Sequence, residues 1–251
     1  TVALLCGAKP VDEIHVMRKT VIDGSNTTGF QRTCVIALDG ELNIEGKKVP
    51  IQHISLEEDA ARKMGEDGSN IRYRIDRLGI PLIEVATAPV IYSPQEAEKT
   101  ALAIGRILRA TRRVRRGLGT IRQDLNISIK DGALIEIKGV QELELVSLAV
   151  EYEVQRQLGL IKIRDELKAR KVREEDIKEE FVNVTSIFEK TKCKVLQKAI
   201  EQKKQILAVR LPKFENLLKT ELAPKIRLGA EMASRARFWG RVGGIFHTDE
   251  M

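Results

Sequence analysis

The sequence predicts an α+β protein: a mainly antiparallel sheet with flanking helices, followed by part of a second, smaller α+β unit. Three observations carry that expectation. Short β-branched runs separated by Gly, Asp or Asn fill the first ninety residues, a helix start with every expected capping residue follows them, and the composition breaks near Ile161. The runs are Val2 to Cys6, Ile14 to Ile22, Thr33 to Leu38, Val49 to Ile54, Ile71 to Ile75 and Leu82 to Ala86. Connections this short between strands call for antiparallel pairing.

Ser93-Pro94-Gln95-Glu96 places a hydroxyl at the N-cap, Pro at the first helical position and Glu three residues after the cap. Ala97, Ala101, Ile104 and Leu108 then recur at helical spacing as one apolar stripe. This helix runs into six arginines within eleven positions, Arg106, Arg109, Arg112, Arg113, Arg115 and Arg116, and Gly117 and Gly119 are expected to close it. Arginine at a helix C-terminus is common for dipole reasons. Six in so short a span point to a phosphate-facing patch.

Ile121 to Ile129 and Leu134 to Lys138 read as two further strands, the first with Arg122, Asp124, Asn126 and Ser128 along one face. Glu142 to Gln157 is expected to be helical with Leu145, Leu148 and Tyr152 buried. From 161 to 205, 13 basic and 9 acidic residues stand among 45, so this stretch reads as solvated helices or a connecting arm. Ile206 to Leu211 restores a strand, and a second globular segment over Leu222 to Met251 contains Trp239. The expected division is therefore 1–160, a charged helical connector over 161–205, and 206–251.

At 251 residues the chain is long enough for about two cores. Its 43% hydrophobic and 31% charged residues suit a globular protein, and no apolar run reaches the ~20 residues of a spanning helix, so no membrane partner is expected. The net charge of +7 favours a polyanion, while 4% aromatic residues argue against bases stacked along a row of rings. Cys6, Cys34 and Cys193 are odd in number and form no CxxC pair, which fits a reducing, cytoplasmic setting. Thr1 opens directly on an apolar run, without an initiator Met or a cleavage signal, so the sequence is expected to be an internal piece of a longer polypeptide.

No Walker A or GxGxxG pattern occurs. Residues 18–32 instead set Arg18, Lys19 and Arg32 around a loop containing Ser25, Asn26, Thr27 and, beside Arg32, Gln31. Backbone N–H groups, hydroxyls and cations in that order can hold phosphate oxygens, and a plain hairpin turn is the alternative. Glu57, Glu58 and Asp59 stand in a row at the end of a strand, where repulsion raises carboxyl pKa values unless a cation intervenes. Glu84 lies inside an otherwise apolar strand and calls for a partner, either a basic side chain or a hard cation such as Mg²⁺. Asp124, Glu136 and Lys138, on adjacent strands, are the next candidates, with ion pairing to Arg122 and Lys138 as the structural alternative. The three histidines, His15, His53 and His247, fall in no metal-binding spacing, and no GxSxG elbow supplies a nucleophile.

Seven of these runs, in order, resemble the B/E family of tRNA-dependent amidotransferases: Arg18 to Arg32, Leu56 to Ala60, Asp76 to Glu84, Ser93 to Ala97, Arg122 to Ser128, Glu136 to Gln141 and Glu151 to Glu153. The form DGSNTTGFQRT looks like the archaeal type that acts on glutamyl-tRNA(Gln). Residues 207–251 resemble the start of an insertion domain shared with bacterial aspartyl-tRNA synthetases. The resemblance implies a cradle-shaped catalytic domain that uses ATP and Mg²⁺ to phosphorylate the side-chain carboxylate of glutamate carried on tRNA(Gln). Ammonia from an asparaginase-like glutaminase partner then displaces the phosphate. Carried over by position, Glu58 and Glu84 fall on metal-ligand positions; from the residues themselves, Asp124, Glu136 and Lys138 join them as catalytic candidates, and Arg18, Lys19, Ser25, Asn26, Thr27, Gln31 and Arg32 are the nucleotide-binding candidates. The family's N-terminal ExH ligands have no counterpart in the sequence. A noncatalytic RNA-binding or scaffold protein, and a bacterial B-type amidotransferase chain, are the competing readings.

Overall fold

The structure is a computed structural model, and it describes residues 1–22, 24, 26–117 and 119–250, Glu250 by its backbone alone. It is a mixed α and β structure in two compact units: residues 1–125 with 137–150, and residues 126–136 with 151–251.

The chain opens on a one-turn helix, α1 (Val2–Leu5), where a strand is expected. Ala and Leu favour helix, and the Gly7 backbone at φ +62° turns the chain immediately after it. Strands β1 (Lys9–Pro10), β2 (Met17–Thr20), β3 (Phe30–Ile44), β4 (Lys47–Glu58), β5 (Arg62–Asp67), β6 (Asn70–Arg74) and β7 (Pro81–Thr87) follow. The main sheet runs β1-β3-β4-β7, with β2 also paired to β3, and every pairing is antiparallel. The long β3 serves two partners on one edge: Lys9 and Pro10 pair with Leu38 and Ala37, while Met17 to Thr20 pair with Thr33 to Phe30. The strands β5 and β6 form a hairpin of their own.

The main sheet has one apolar face. Cys6, Ala8, Ala37, Ile51 and Ile54 form the core there with Val2 and Leu42, and helix α2 (Pro94–Ala110) adds Ile104, Ile107 and Leu108. Ile51 and Ile54 are at most 1% exposed, which is worth about 1.5–3 kcal/mol each. Gly40 is required where the N-terminal segment crosses β3, because a Cβ there would lie 2.7 Å from the Cys6 carbonyl oxygen. The expected cap of α2 is present: the Ser93 hydroxyl accepts from the Glu96 N–H at 3.2 Å. The helix stops earlier than expected, at Ala110, and Arg112 at φ +56° turns the chain before either glycine.

β8 (Gln123–Ile127) and β9 (Ile135–Val140) pair as a two-stranded sheet, and α3 (Leu143–Ala169) then runs unbroken through position 160. The expected boundary at 160 thus falls inside a helix. Its buried stripe is also shifted by one position, with Val146 inside and Leu145 and Leu148 exposed. Tertiary packing selects among the alternative apolar stripes such a helix offers.

In the second unit come β10 (Phe181–Asn183), α4 (Lys194–Glu201), β11 (Leu207–Val209), β12 (Glu221–Ala223), β13 (Ile226–Arg227) and α5 (Leu228–Gly240). The charged stretch therefore includes a strand, β10, paired with β11. The core here is Ile163, Leu217, Leu218, Leu222 and Leu228. Arg156 of α3 binds Glu153 at 2.8 Å and Glu231 of α5 at 2.9 Å, and Gln157 donates to Glu153 at 2.8 Å. Among the described residues no helix is long and apolar enough to cross a membrane.

Candidate functional site

The polar face of the main sheet gathers the chemistry. Opposed residues in an antiparallel pair share a face, and side chains alternate along each strand. Lys19 pairs with Gln31, Thr33 with Glu57 and Ser55 with Glu84, so these six side chains and His53 share one face. Glu58, next to Glu57 on β4 and opposite Pro81, is on the other face.

Each acid of the Glu57-Glu58-Asp59 row has its own cation, so the expected repulsion is relieved. Glu57, only 9% exposed, accepts from Lys19 Nζ at 2.9 Å and from Gln31 Nε2 at 3.2 Å. Glu58 pairs with the Arg32 guanidinium at 2.5 Å and accepts from the Arg32 N–H, and these bonds hold its carboxyl below the usual range. Asp59 has Arg122 at 3.4 Å and Arg77 at 3.9 Å.

Glu84 is the exception. Its carboxylate has no hydrogen bond or ion pair among the described residues. Desolvation, then the charge of Glu57, pushes its pKa up; Lys19 and His53 oppose this, and Asp124 adds to it. A carboxylate kept charged against that environment would bind a cation well. Asp124 accepts from the Gly139 N–H at 2.7 Å and lies 3.5 Å from Lys138 Nζ. Glu136 stands two positions before Lys138 on β9.

The structure thus brings Lys19, Gln31, Glu84 and Asp124 to one region and separates Glu58 from Glu84. Of the two metal-ligand candidates, Glu58 lies on the face opposite Glu84, and it is Glu57 that shares the Glu84 face, because the pleat turns neighbouring residues to opposite faces. That signal was present in the strand alternation. Among the described residues no three His, Cys, Asp or Glu side chains gather as a metal site. Two carboxylates, one of them uncompensated, fit a divalent ion as part of a ligand set.

The loop at 21–29 is a hairpin connection: Val21 N–H donates to Gly29 O, Gly29 N–H to Asn26 O, and the Thr28 hydroxyl to Phe30 O. Asn26 and Thr27 lie in it, and Ser25 falls outside the described residues. Arg18 lies over the Phe30 ring at 5.3 Å. The arginines from 106 to 116 are all exposed and make no ion pair among the described residues.

Comparison with known proteins gives two matches along the chain: the GatB/GatE catalytic domain over residues 1–213 and the GAD domain over 196–251. The chain is 56% identical over 251 residues to the E-type chain of the glutamyl-tRNA(Gln) amidotransferase of Aeropyrum pernix. It is also 56% identical over 250 residues to the corresponding amidotransferase chains of Thermococcus gammatolerans and Pyrococcus horikoshii. All of this chain is covered but only 39 to 40% of each relative, so the chain spans about two fifths of their length. With a family match over most of its length, the chain belongs to the GatB/GatE catalytic domain family.

Proposed function

We propose that the chain carries the phosphoryl-transfer centre of an archaeal-type tRNA-dependent amidotransferase, in a cradle-shaped domain, acting on glutamate attached to tRNA(Gln). The observation that carries this reading is Glu84, exposed and without a partner among the described residues, beside the Lys19–Glu57 pair and next to a hairpin whose ends are cationic. A side-chain carboxylate oxygen of the bound glutamate attacks the γ-phosphorus of ATP, ADP leaves, and an acyl phosphate forms. Ammonia then attacks the acyl carbon, phosphate leaves, and the amide loses a proton. Both steps need positioning and charge neutralisation more than a protein nucleophile.

Glu84 and Glu57 would hold Mg²⁺, with further ligands from outside the chain, and the ion supplies positive charge to phosphate oxygens when bound. Lys19 and Gln31 orient Glu57. Arg18, Arg32, Ser25, Asn26 and Thr27 are the nucleotide-side candidates, and Asp124, Glu136 and Lys138 are the further catalytic candidates. Glu58 holds Arg32 in place, both on the face opposite Glu84. The ammonia comes from an asparaginase-like glutaminase partner, and the charged tRNA substrate places the reaction in the cytoplasm.

The test uses the full-length protein with its glutaminase partner, Glu-tRNA(Gln), ATP and Mg²⁺, following ADP release and Gln-tRNA formation. Both products are expected, each requiring ATP and Mg²⁺. Tight tRNA binding without ATP turnover would overturn the reading in favour of a noncatalytic RNA-binding protein.

A further inference from the structure

The β5–β6 hairpin contains an electrostatic arrangement that its own fold does not explain. Arg62 pairs directly with Arg74 across the two strands, and Arg72, two residues before Arg74, shares their face. Directly opposed like charges in an antiparallel pair are destabilising. The same chain shows how such a pair is normally relieved. Arg18 and Arg32 are also directly opposed, but Arg32 is held by Glu58 and Arg18 lies over the Phe30 ring. Arg62, Arg72 and Arg74 are exposed and have no such partner among the described residues. Asp67, the acid on that face, lies at the hairpin tip and makes no ion pair with them.

The two faces of the hairpin are used differently. On the opposite face Tyr73 donates its hydroxyl to the Gly24 carbonyl at 2.6 Å, which ties the hairpin to the 21–29 loop. Lys63 and Glu66 pair with each other on that side. On the arginine face, Gly65 stands across from Arg72, and a Cβ there would lie 3.9 Å from the guanidinium. The Arg72 guanidinium therefore lies over the glycine, where no opposing side chain covers it. An open two-stranded surface with three guanidinium groups suits an extended array of phosphates; a single nucleotide is held better in a closed cleft.

We infer that the Arg62–Arg72–Arg74 face of the β5–β6 hairpin is a docking surface for the phosphodiester backbone of RNA. This rests on the proposed function, where the RNA is the tRNA substrate. It adds a contact surface distinct from the Glu84 site and from the arginines of 106–116. Through Tyr73, RNA held on this face would also fix the position of the loop at Gly24.

The experiment compares the full-length protein, in complex with its glutaminase partner, with an Arg62→Gln/Arg74→Gln variant. Dissociation constants for tRNA are measured across a salt series, together with the KM for ATP and the melting temperature. The variant is expected to bind tRNA about tenfold more weakly at moderate salt, with the slope of log K against log salt reduced by roughly 1.5 to 2. The KM for ATP should not change appreciably and the melting temperature should not fall, and an Arg62→Lys/Arg74→Lys variant should keep the wild-type slope. An unchanged slope in the Gln variant overturns the inference and leaves the proposed function standing. A weakened ATP KM with tRNA affinity kept overturns it in favour of nucleotide phosphates. A lowered melting temperature shared by the Lys variant marks a structural role and overturns it as well. Wild-type protein that neither binds nor amidates Glu-tRNA overturns the proposed function itself and this surface with it.

Discussion

Glu84 and Glu57 project from the same face of neighbouring strands, yet only Glu57 has donors: Lys19 Nζ lies 2.9 Å and Gln31 Nε2 3.2 Å from its carboxylate. The neighbouring Glu58 faces the other way and is taken by Arg32. Three glutamates close in the fold therefore have three different electrostatic situations, and each leads to a separate expectation under mutation.

If Glu84 holds the divalent ion as proposed, Glu84→Gln in the full-length protein should lower Mg²⁺-dependent ADP release by about two orders of magnitude or more, since it removes a carboxylate that would fix that cation. Glu57→Gln should follow it. Glu58→Gln should cost much less, because an exposed ion pair contributes only about 0–1 kcal/mol. Steady-state rates of the three variants check this order, and a Glu58→Gln loss equal to that of Glu84→Gln would return Glu58 to the ligand set.

Glu84 also sets a stability signature. Its folded pKa is raised, so the native state binds more protons than the unfolded chain between the ordinary carboxylate pKa and the raised one. Stability therefore falls as pH rises through that window and stays lower above it. Glu84→Gln should stabilise the metal-free protein near neutral pH, with the gain vanishing below the ordinary carboxylate range. Denaturant midpoints measured from about pH 3 to 8 with chelator present check both the sign and the window.

Arg112 and Arg113 stand at the turn after α2, exposed and without an acid partner among the described residues. Changing both to Ala should weaken tRNA binding about tenfold and reduce the salt slope by roughly one to two. Because neither side chain is buried, thermal stability should hardly change. Binding isotherms at several salt concentrations check the slope.

Arg156 sits between Glu153 and Glu231 with its side chain 14% exposed. Replacing it with Met leaves the buried Glu153 without its cation and Glu231 with only Arg235 at 3.4 Å, and breaking a buried pair in this way costs roughly 3 kcal/mol or more. Urea unfolding of Arg156→Met should show that loss, and Glu153→Gln in the same background should recover part of it.

Much of the first unit was legible in the sequence because its signals are local. The Ser93 cap, the apolar stripe of α2 and the alternation of β3, β4 and β7 each depend on residues within a turn or a strand. The helix at Val2–Leu5 was not legible, because four apolar residues satisfy helix and strand equally, and packing against Ala37 and Ile54 decides between them. The shifted stripe of α3 was hidden for a similar reason, since only its neighbours select Val146 over Leu145. The arginine face of β5–β6 was also unread, because Arg62 and Arg74 are twelve positions apart and become neighbours only through pairing.

The sequence alone determined that Glu57 and Glu58 face opposite sides of their strand, since the period of a β-strand is two. It did not determine which of them stands with Glu84. That choice belongs to register: Ser55 opposite Glu84, and Thr33 opposite Glu57, with bulges at Val35/Ala37 and Ile51/His53 setting the alignment beyond them. A slip of one residue would exchange the two faces and bring Glu58 beside Glu84. What holds the register is the burial of Ile54, Ile51 and Ala37 against the N-terminal segment and α2, a property of the packed core rather than of any one stretch of chain.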